Sequence, residues 1–243
     1  MDSFAPETIV LAVLVGTLAG VIRGITGFGG AMVMSPPLAL LLGPRLTVAV
    51  VLLLEGIAAA PMVLETRRLV RWRVMWPILA ATCVTVPLGG YVLVTADPLT
   101  LRRAIAAIVI VFSLLLLRGW RYAGRQRTGT GVGLGAVAGA MLGATSIGGP
   151  PVILYLLAGP DRVETTRANL TLFVAVGSLA GVAMLWTRGV LDARAAWIGL
   201  ALAPGYYGGV VAGTRLFSRF NDTRFRQFTL LLMVAVSSAI LLA

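Results

Sequence analysis

Gly20-Val21-Ile22-Arg23-Gly24-Ile25-Thr26-Gly27-Phe28-Gly29-Gly30 returns 119 residues later as Gly139-Ala140-Met141-Leu142-Gly143-Ala144-Thr145-Ser146-Ile147-Gly148-Gly149. At that shift Gly20, Gly24, Thr26, Gly29 and Gly30 fall on Gly139, Gly143, Thr145, Gly148 and Gly149. A glycine weakens a helix by about 1 kcal/mol relative to alanine, so this density inside an apolar stretch marks a break in a helix. Paired breaks in two halves of an apolar chain point to a binding site between structural repeats.

Composition places those breaks in a membrane. The chain is 58% hydrophobic and 12% charged, with a mean hydropathy of +0.96, whereas soluble domains carry about 25% charged residues. Apolar segments run over 8–22, 29–43, 46–64, 74–96, 100–117, 129–144, 149–159, 166–187, 193–213 and 225–243, several near the ~20 residues that a spanning helix needs. The N-terminal stretch has no basic region and no small-residue cleavage site, so no cleaved signal peptide is expected. Cys83 is the single cysteine and histidine is absent, which removes disulfides, the commonest metal ligand and the usual general base. With no Walker loop and no carboxylate cluster either, the expectation is a chain that is not an enzyme, with no metal site and no cofactor.

The net charge of +11 resides entirely in arginines. All but Arg23 lie in short connections between apolar segments, as in the cytoplasmic loops of membrane proteins, and nucleic acid is not expected as a partner. The repeat extends beyond the motif. Gly43-Pro44-Arg45 corresponds to Gly159-Pro160-Asp161, the basic stretch 67–71 to 188–194, Pro87-Leu88-Gly89-Gly90 to Tyr206-Tyr207-Gly208-Gly209, and 100–103 to 223–226. The expected organisation is a first membrane repeat over 1–118, a cytoplasmic linker over 119–128 and a second repeat over 129–243.

Arginine counts orient the halves. If each repeat is a hairpin around the motif plus three helices, connections 65–73, 118–127, 160–167 and 215–226 share one side with 14 arginines, against 5 for 43–45, 97–103 and 188–194. The basic excess belongs in the cytoplasm. The expectation is therefore an all-α polytopic membrane protein of two inverted repeats, each a broken-helix hairpin plus three transmembrane helices, in the cell inner (plasma) membrane. Both termini are expected on the non-cytoplasmic side. Residues 129–158 are too few for two full spans at 1.5 Å per residue, so two half-length helices meeting inside the membrane are expected.

Free N–H groups at a helix start carry about half a positive charge and bind anions without a cationic side chain. Pro150-Pro151 after Gly148-Gly149 reads as such a start, while Pro36-Pro37 comes later in the first copy. The candidate substrate-binding residues are Arg23, Thr26, Gly27, Phe28, Gly29, Gly30, Thr145, Ser146, Ile147, Gly148, Gly149 and Pro150, with the threonines and Ser146 supplying hydroxyl donors. For the pairs Gly20/Gly24 and Gly139/Gly143, close helix packing is the preferred reading. Arg23 either attracts the anion or snorkels from the hairpin tip. Glu55 either carries a coupled proton, forms an ion pair, with Arg23 as the partner at hand, or sits shallow near the membrane interface. Tyr155 and Asn169 either hold helices together or touch substrate.

Gly24-Ile-Thr-Gly-Phe-Gly-Gly-Ala-Met-Val-Met-Ser-Pro36, then Gly43-Pro-Arg-Leu-Thr-Val-Ala-Val50, resembles the first half of the TauE/SafE (sulfite exporter) transporters. Gly143-Ala-Thr-Ser-Ile-Gly-Gly-Pro-Pro-Val-Ile-Leu-Tyr-Leu-Leu157 is similar to the family's second signature. The resemblance implies a secondary transporter, in the exporting sense, for a small anion such as sulfite, a sulfonate, sulfoacetate, thiosulfate or a carboxylate. The competing reading from the residues is a passive anion channel with the glycine breaks as its constriction. The bilayer is the other expected partner, and a homo-oligomer is left open.

Overall fold

The computed structural model describes residues 5–120, 122, 124, 126–217 and 223–242. Positions 2 and 243, on which the sidedness of the termini rests, lie outside the described residues, as do Arg121, Arg125, Arg219 and the side chains of Arg224 and Arg226. The helices are α1 (Pro6–Thr26), α2 (Gly30–Leu42), α3 (Pro44–Thr66), α4 (Trp72–Thr95), α5 (Pro98–Leu117), α6 (Thr128–Thr145), α7 (Gly149–Leu156), α8 (Val163–Thr187), α9 (Ala193–Phe217) and α10 (Thr223–Leu242). No strand occurs among the described residues. α1, α3, α4, α5, α8 and α9 are long and apolar enough to cross a membrane. Trp186 and Trp197, 76% and 65% exposed, stand on an outer surface that is energetically sensible only against lipid.

Local chemistry sets the helix bounds. Pro6, Pro44 and Pro98 occupy first turns, where a missing N–H costs nothing. Asp97 caps α5 by accepting the Thr100 N–H at 3.0 Å. α1 stops because Gly27 turns left-handed (φ 77°) and returns its N–H to the Arg23 carbonyl. α6 stops at the matching position, where Ser146 adopts φ 61° and its N–H reaches the Leu142 carbonyl at 2.8 Å. A serine pays about 1–2 kcal/mol for that conformation, and a 2.9 Å hydrogen bond between the Ser35 and Ser146 hydroxyls helps to hold it.

The hairpins differ from expectation in one respect. α1 has 21 residues and α6 has 18, giving about 31 and 27 Å at 1.5 Å per residue. Only the returning helices are short: α2 with 13 residues and α7 with 8. α2 also starts at Gly30, so Pro36-Pro37 sit inside it.

The most extensive helix pairs are α4 with α6, α1 with α9, α3 with α8 and α5 with α10, each joining one half of the chain to the other. Exchanging the halves turns α1–α9 into α6–α4 and leaves the other two pairings unchanged. Glycines make the equivalence residue-specific. Along α1, Gly16, Gly20 and Gly24 face Leu202, Tyr206 and Val210; along α6, Gly135, Gly139 and Gly143 face Ile78, Thr82 and Val86. In both ladders a Cβ on the last two glycines would overlap a carbonyl oxygen or other backbone of the partner helix, so the helices touch backbone to backbone and packing is what these glycines do. The same contacts correct the repeat register. Gly213 meets Gly24 as Gly89 meets Gly143, so Gly89 pairs with Gly213 rather than Gly208, because the ladder and not the double glycine fixes the match.

Side-chain contacts group the connections. Arg71 pairs with Asp161 at 2.7 Å, and Gln126 donates to the Tyr155 carbonyl at 3.1 Å. At the other end Arg45 donates to the Leu93 and Val94 carbonyls at 3.2 and 2.6 Å, and the Arg188 guanidinium lies 5.9 Å over the Tyr91 ring. Gly24→Ala is expected to lower the melting temperature of the detergent-purified protein by several degrees. Gly133→Ala, where a Cβ meets nothing within 4 Å, is expected to leave it unchanged.

Candidate functional site

The two breaks meet at one cavity of about 30 Å³, lined by Phe28, Gly29, Ala31 and Met32 from the first half with Glu55 of α3. From the second half come Leu142, Ser146, Ile147, Gly148, Gly149 and Pro150, with Leu170, Val174 and Ser178 of α8. By the usual criterion this is room for about two waters. At the mouth of α2 the Gly30, Ala31 and Met32 N–H groups precede the first helical acceptor, since the Val33 N–H is the one that reaches the Gly29 carbonyl. At α7 the prolines at 150 and 151 have no N–H, which leaves the donors to Gly148 and Gly149.

Five of the candidate residues do not line this cavity. Thr26 donates to the Ile22 carbonyl at 2.7 Å and to the Phe28 carbonyl, and Thr145 donates to the Met141 carbonyl at 2.7 Å. Threonine at the end of a helix bonds back to the carbonyl four residues earlier, so neither hydroxyl is the free donor expected from sequence. Thr26 borders a smaller neighbouring cavity with Phe28, Gly29 and Met233. Gly27 is the helix-ending residue, and a Cβ there would run into the Arg167 side chain. Arg167 also donates to the Gly24 carbonyl at 2.5 Å. Gly30 is walled off: a Cβ on it would meet Glu55 Oε1, the Tyr206 hydroxyl and Arg23 Cβ.

Arg23 is fully buried, which removes the snorkelling reading. Its Nε lies 3.1 Å from Glu55 Oε2, and its Nη1 donates to the Gly27 carbonyl. Glu55 stands between Arg23 and the cavity, 3% exposed. Arg23 holds Glu55 Oε2, and the Tyr206 hydroxyl lies beside Oε1 where both border Gly30. An unpaired charge here would be costly, and breaking such a buried pair typically costs about 3–5 kcal/mol.

Sequence reasoning missed Tyr206 and the α8 wall. Leu170, Val174 and Ser178 recur at helical spacing on one face, but no feature of α8 linked that face to the motifs. Asn169 accepts the Arg71 N–H at 2.9 Å, and the Tyr155 hydroxyl donates to the Arg127 carbonyl at 3.4 Å while its ring lies 5.5 Å from that of Tyr122. Both hold helices together, and neither borders the cavity. Among the described residues, no three His, Cys, Asp or Glu side chains group to hold a metal.

A bundle of membrane-length helices in which two broken hairpins converge on a buried cavity is the architecture of a multi-pass membrane transporter. Residues 12–240 match the family Sulfite exporter TauE/SafE, and the chain belongs to that family. No curated protein and no solved structure gives a match. Arg23→Met and Glu55→Met are each expected to destabilise the protein strongly, whereas the double variant should recover much of the loss. Thermal melts of the four proteins form the double-mutant cycle that checks this.

Proposed function

We propose that the protein is a secondary carrier, working as an exporter, for a small sulfur-containing or carboxylated anion of the sulfite or sulfonate kind. The anion binds in the cavity between the two breaks and crosses by alternating access. The observation that carries this reading is that Gly29 and Gly148-Gly149, distant in sequence, border one buried space. Backbone N–H groups of Gly148 and Gly149 at the start of α7 and the hydroxyl of Ser178 supply the recognition. A carrier gives saturable uptake of labelled sulfite into proteoliposomes that unlabelled anion inside accelerates. A channel gives no such trans-stimulation, and that result would replace this reading with the passive one.

Coupling is assigned to Glu55. Its carboxylate faces the space that an anion must enter, so the two negative charges repel unless a proton joins them. Glu55→Gln is expected to keep expression and anion binding while losing acceleration by a pH gradient. Undiminished proton dependence in that variant removes Glu55 from coupling.

We further propose that the repeats of 1–118 and 129–243 are inverted, with linker 119–128 in the cytoplasm of a cell whose inner membrane holds the protein. Support comes from the connections: those tied together through Arg71–Asp161 and Gln126–Tyr155 belong to the arginine-rich set. Those tied through Arg45 and Arg188 belong to the other. In a Cys83→Ser background, cysteines at positions 2 and 243 should react with a membrane-impermeant maleimide from the non-cytoplasmic side only. Labelling of either from the cytoplasm overturns the inversion.

A further inference from the structure

The packing equivalences single out an asymmetry at the centre. Tyr206 faces Gly20 as Thr82 faces Gly139, so Tyr206 and Thr82 are counterparts. Arg23 and Leu142 each immediately precede the last glycine of a ladder. Gly177 of α8 stands toward Leu142 and Thr82 as Glu55 of α3 stands toward Arg23 and Tyr206. The contacts agree: Arg23 meets Glu55 at 3.1 Å, and a Cβ on Gly177 would meet the Leu142 side chain at 3.1 Å and that of Thr82 at 3.9 Å. The cluster Arg23–Glu55–Tyr206 is thus answered in the second half by Leu142–Gly177–Thr82, which has no ionisable group.

These clusters stand at the starts of α2 and α7. A Cβ on Gly30 would overlap Glu55 Oε1 and approach the Tyr206 hydroxyl, whereas a Cβ on Gly149 meets nothing within 4 Å. Gly149 borders the cavity and Gly30 does not. We propose that the Glu55 carboxylate is a built-in anion filling the space in front of Gly30, and that the transported anion takes the equivalent open space in front of Gly149, at the start of α7. This rests on the carrier reading above and makes its site one-sided: Gly148, Gly149 and Ser178 hold the anion, and Gly30 does not touch it.

The seat also has a charge limit. Among the described residues no cationic side chain lines the cavity, Arg23 is already matched by Glu55, and an α7 start short of two N–H groups supplies at most about half a positive charge. Glu55 faces the same space. The seat therefore takes a monoanion, with its oxygens toward Gly148-Gly149 and a short apolar substituent against Leu142, Leu170 and Val174. Methanesulfonate fits that description, and sulfate does not.

The test uses the full-length protein in detergent at neutral pH, read by melting temperature against anion concentration. Methanesulfonate should stabilise the wild type and sulfate should not. Gly149→Val should weaken the methanesulfonate response at least tenfold. Gly149→Ala, whose Cβ enters open space at an ordinary backbone conformation, should do so partially and without loss of basal stability. Glu55→Ala should melt lower and be restored by millimolar formate, which replaces the missing carboxylate between Arg23 and Gly30, while formate leaves the wild type unchanged at that concentration. Unweakened methanesulfonate binding in both Gly149 variants, equal stabilisation by sulfate, or no formate rescue of Glu55→Ala overturns the one-sided seat, even where counterflow still demonstrates a carrier. Absence of both sulfite counterflow and anion binding in the wild type overturns the carrier reading and the seat with it.

Discussion

Backbone N–H and C=O groups released at a helix break cannot face hydrocarbon, where each costs several kcal/mol. The remaining architecture follows from enclosing two such breaks. Each returning helix, α2 and α7, is too short to span and lies inside the bundle. The long helices surround them, with α3 and α8 packed across the centre. The glycine ladders of α1 and α6 bring α9 and α4 into backbone contact, which closes the bundle tightly enough to keep lipid out. Residue volume is absent along these seams for the same reason that the breaks are buried in the middle.

Symmetry organises the scaffold and chemistry departs from it. The ladders, the left-handed helix ends at Gly27 and Ser146 and the long pairings all correspond between halves. The helix starts do not. In one half a matched acid and base with a tyrosine hydroxyl fill the space in front of Gly30. In the other, leucine, glycine and threonine leave the space in front of Gly149 open. A fully symmetric pair of anion sites would place two negative charges in one small cavity, and the repulsion would defeat both. On the proposed one-sided site, supplying one of the charges from the protein and pairing it with Arg23 leaves a single place to fill.

Much of this was legible in the sequence because the strongest signals were compositional and periodic. Apolar runs bounded by arginines located every helix, and the 119-residue recurrence located both breaks. Pro150-Pro151 marked the start of α7 because proline suits a first turn, whereas Pro36-Pro37 left the start of α2 open, since α2 begins at Gly30 and carries them in its interior. The hydroxyls of Thr26 and Thr145 looked available because a sequence does not reveal that each returns to its own helix. Tyr206 and Ser178 were invisible as site residues, since nothing local to α9 or α8 records which helix lies opposite. The register of α4 against α9 was misjudged for a related reason: double glycines recur at Gly89-Gly90 and Gly208-Gly209, but only contact with α6 and α1 shows which glycine occupies the equivalent place.

The Arg23–Glu55 pair unites stability and transport in a way that neither reading alone explains. Buried ion pairs contribute little net stability and are often replaceable by apolar side chains, so fold alone gives weak reason to hold one at the end of α1. The second half demonstrates the replacement: Leu142 and Gly177 occupy the corresponding positions in an equally closed bundle. Retaining the pair in one half is therefore best understood through what it does to the cavity. In the proposed carrier, Glu55 excludes dianions and supplies a proton-binding group within reach of the substrate, and Arg23 keeps that carboxylate in place when no substrate is bound. An apolar pair in both halves would give a bundle at least as stable, with two helix starts open to any anion and nothing to couple its passage to a gradient.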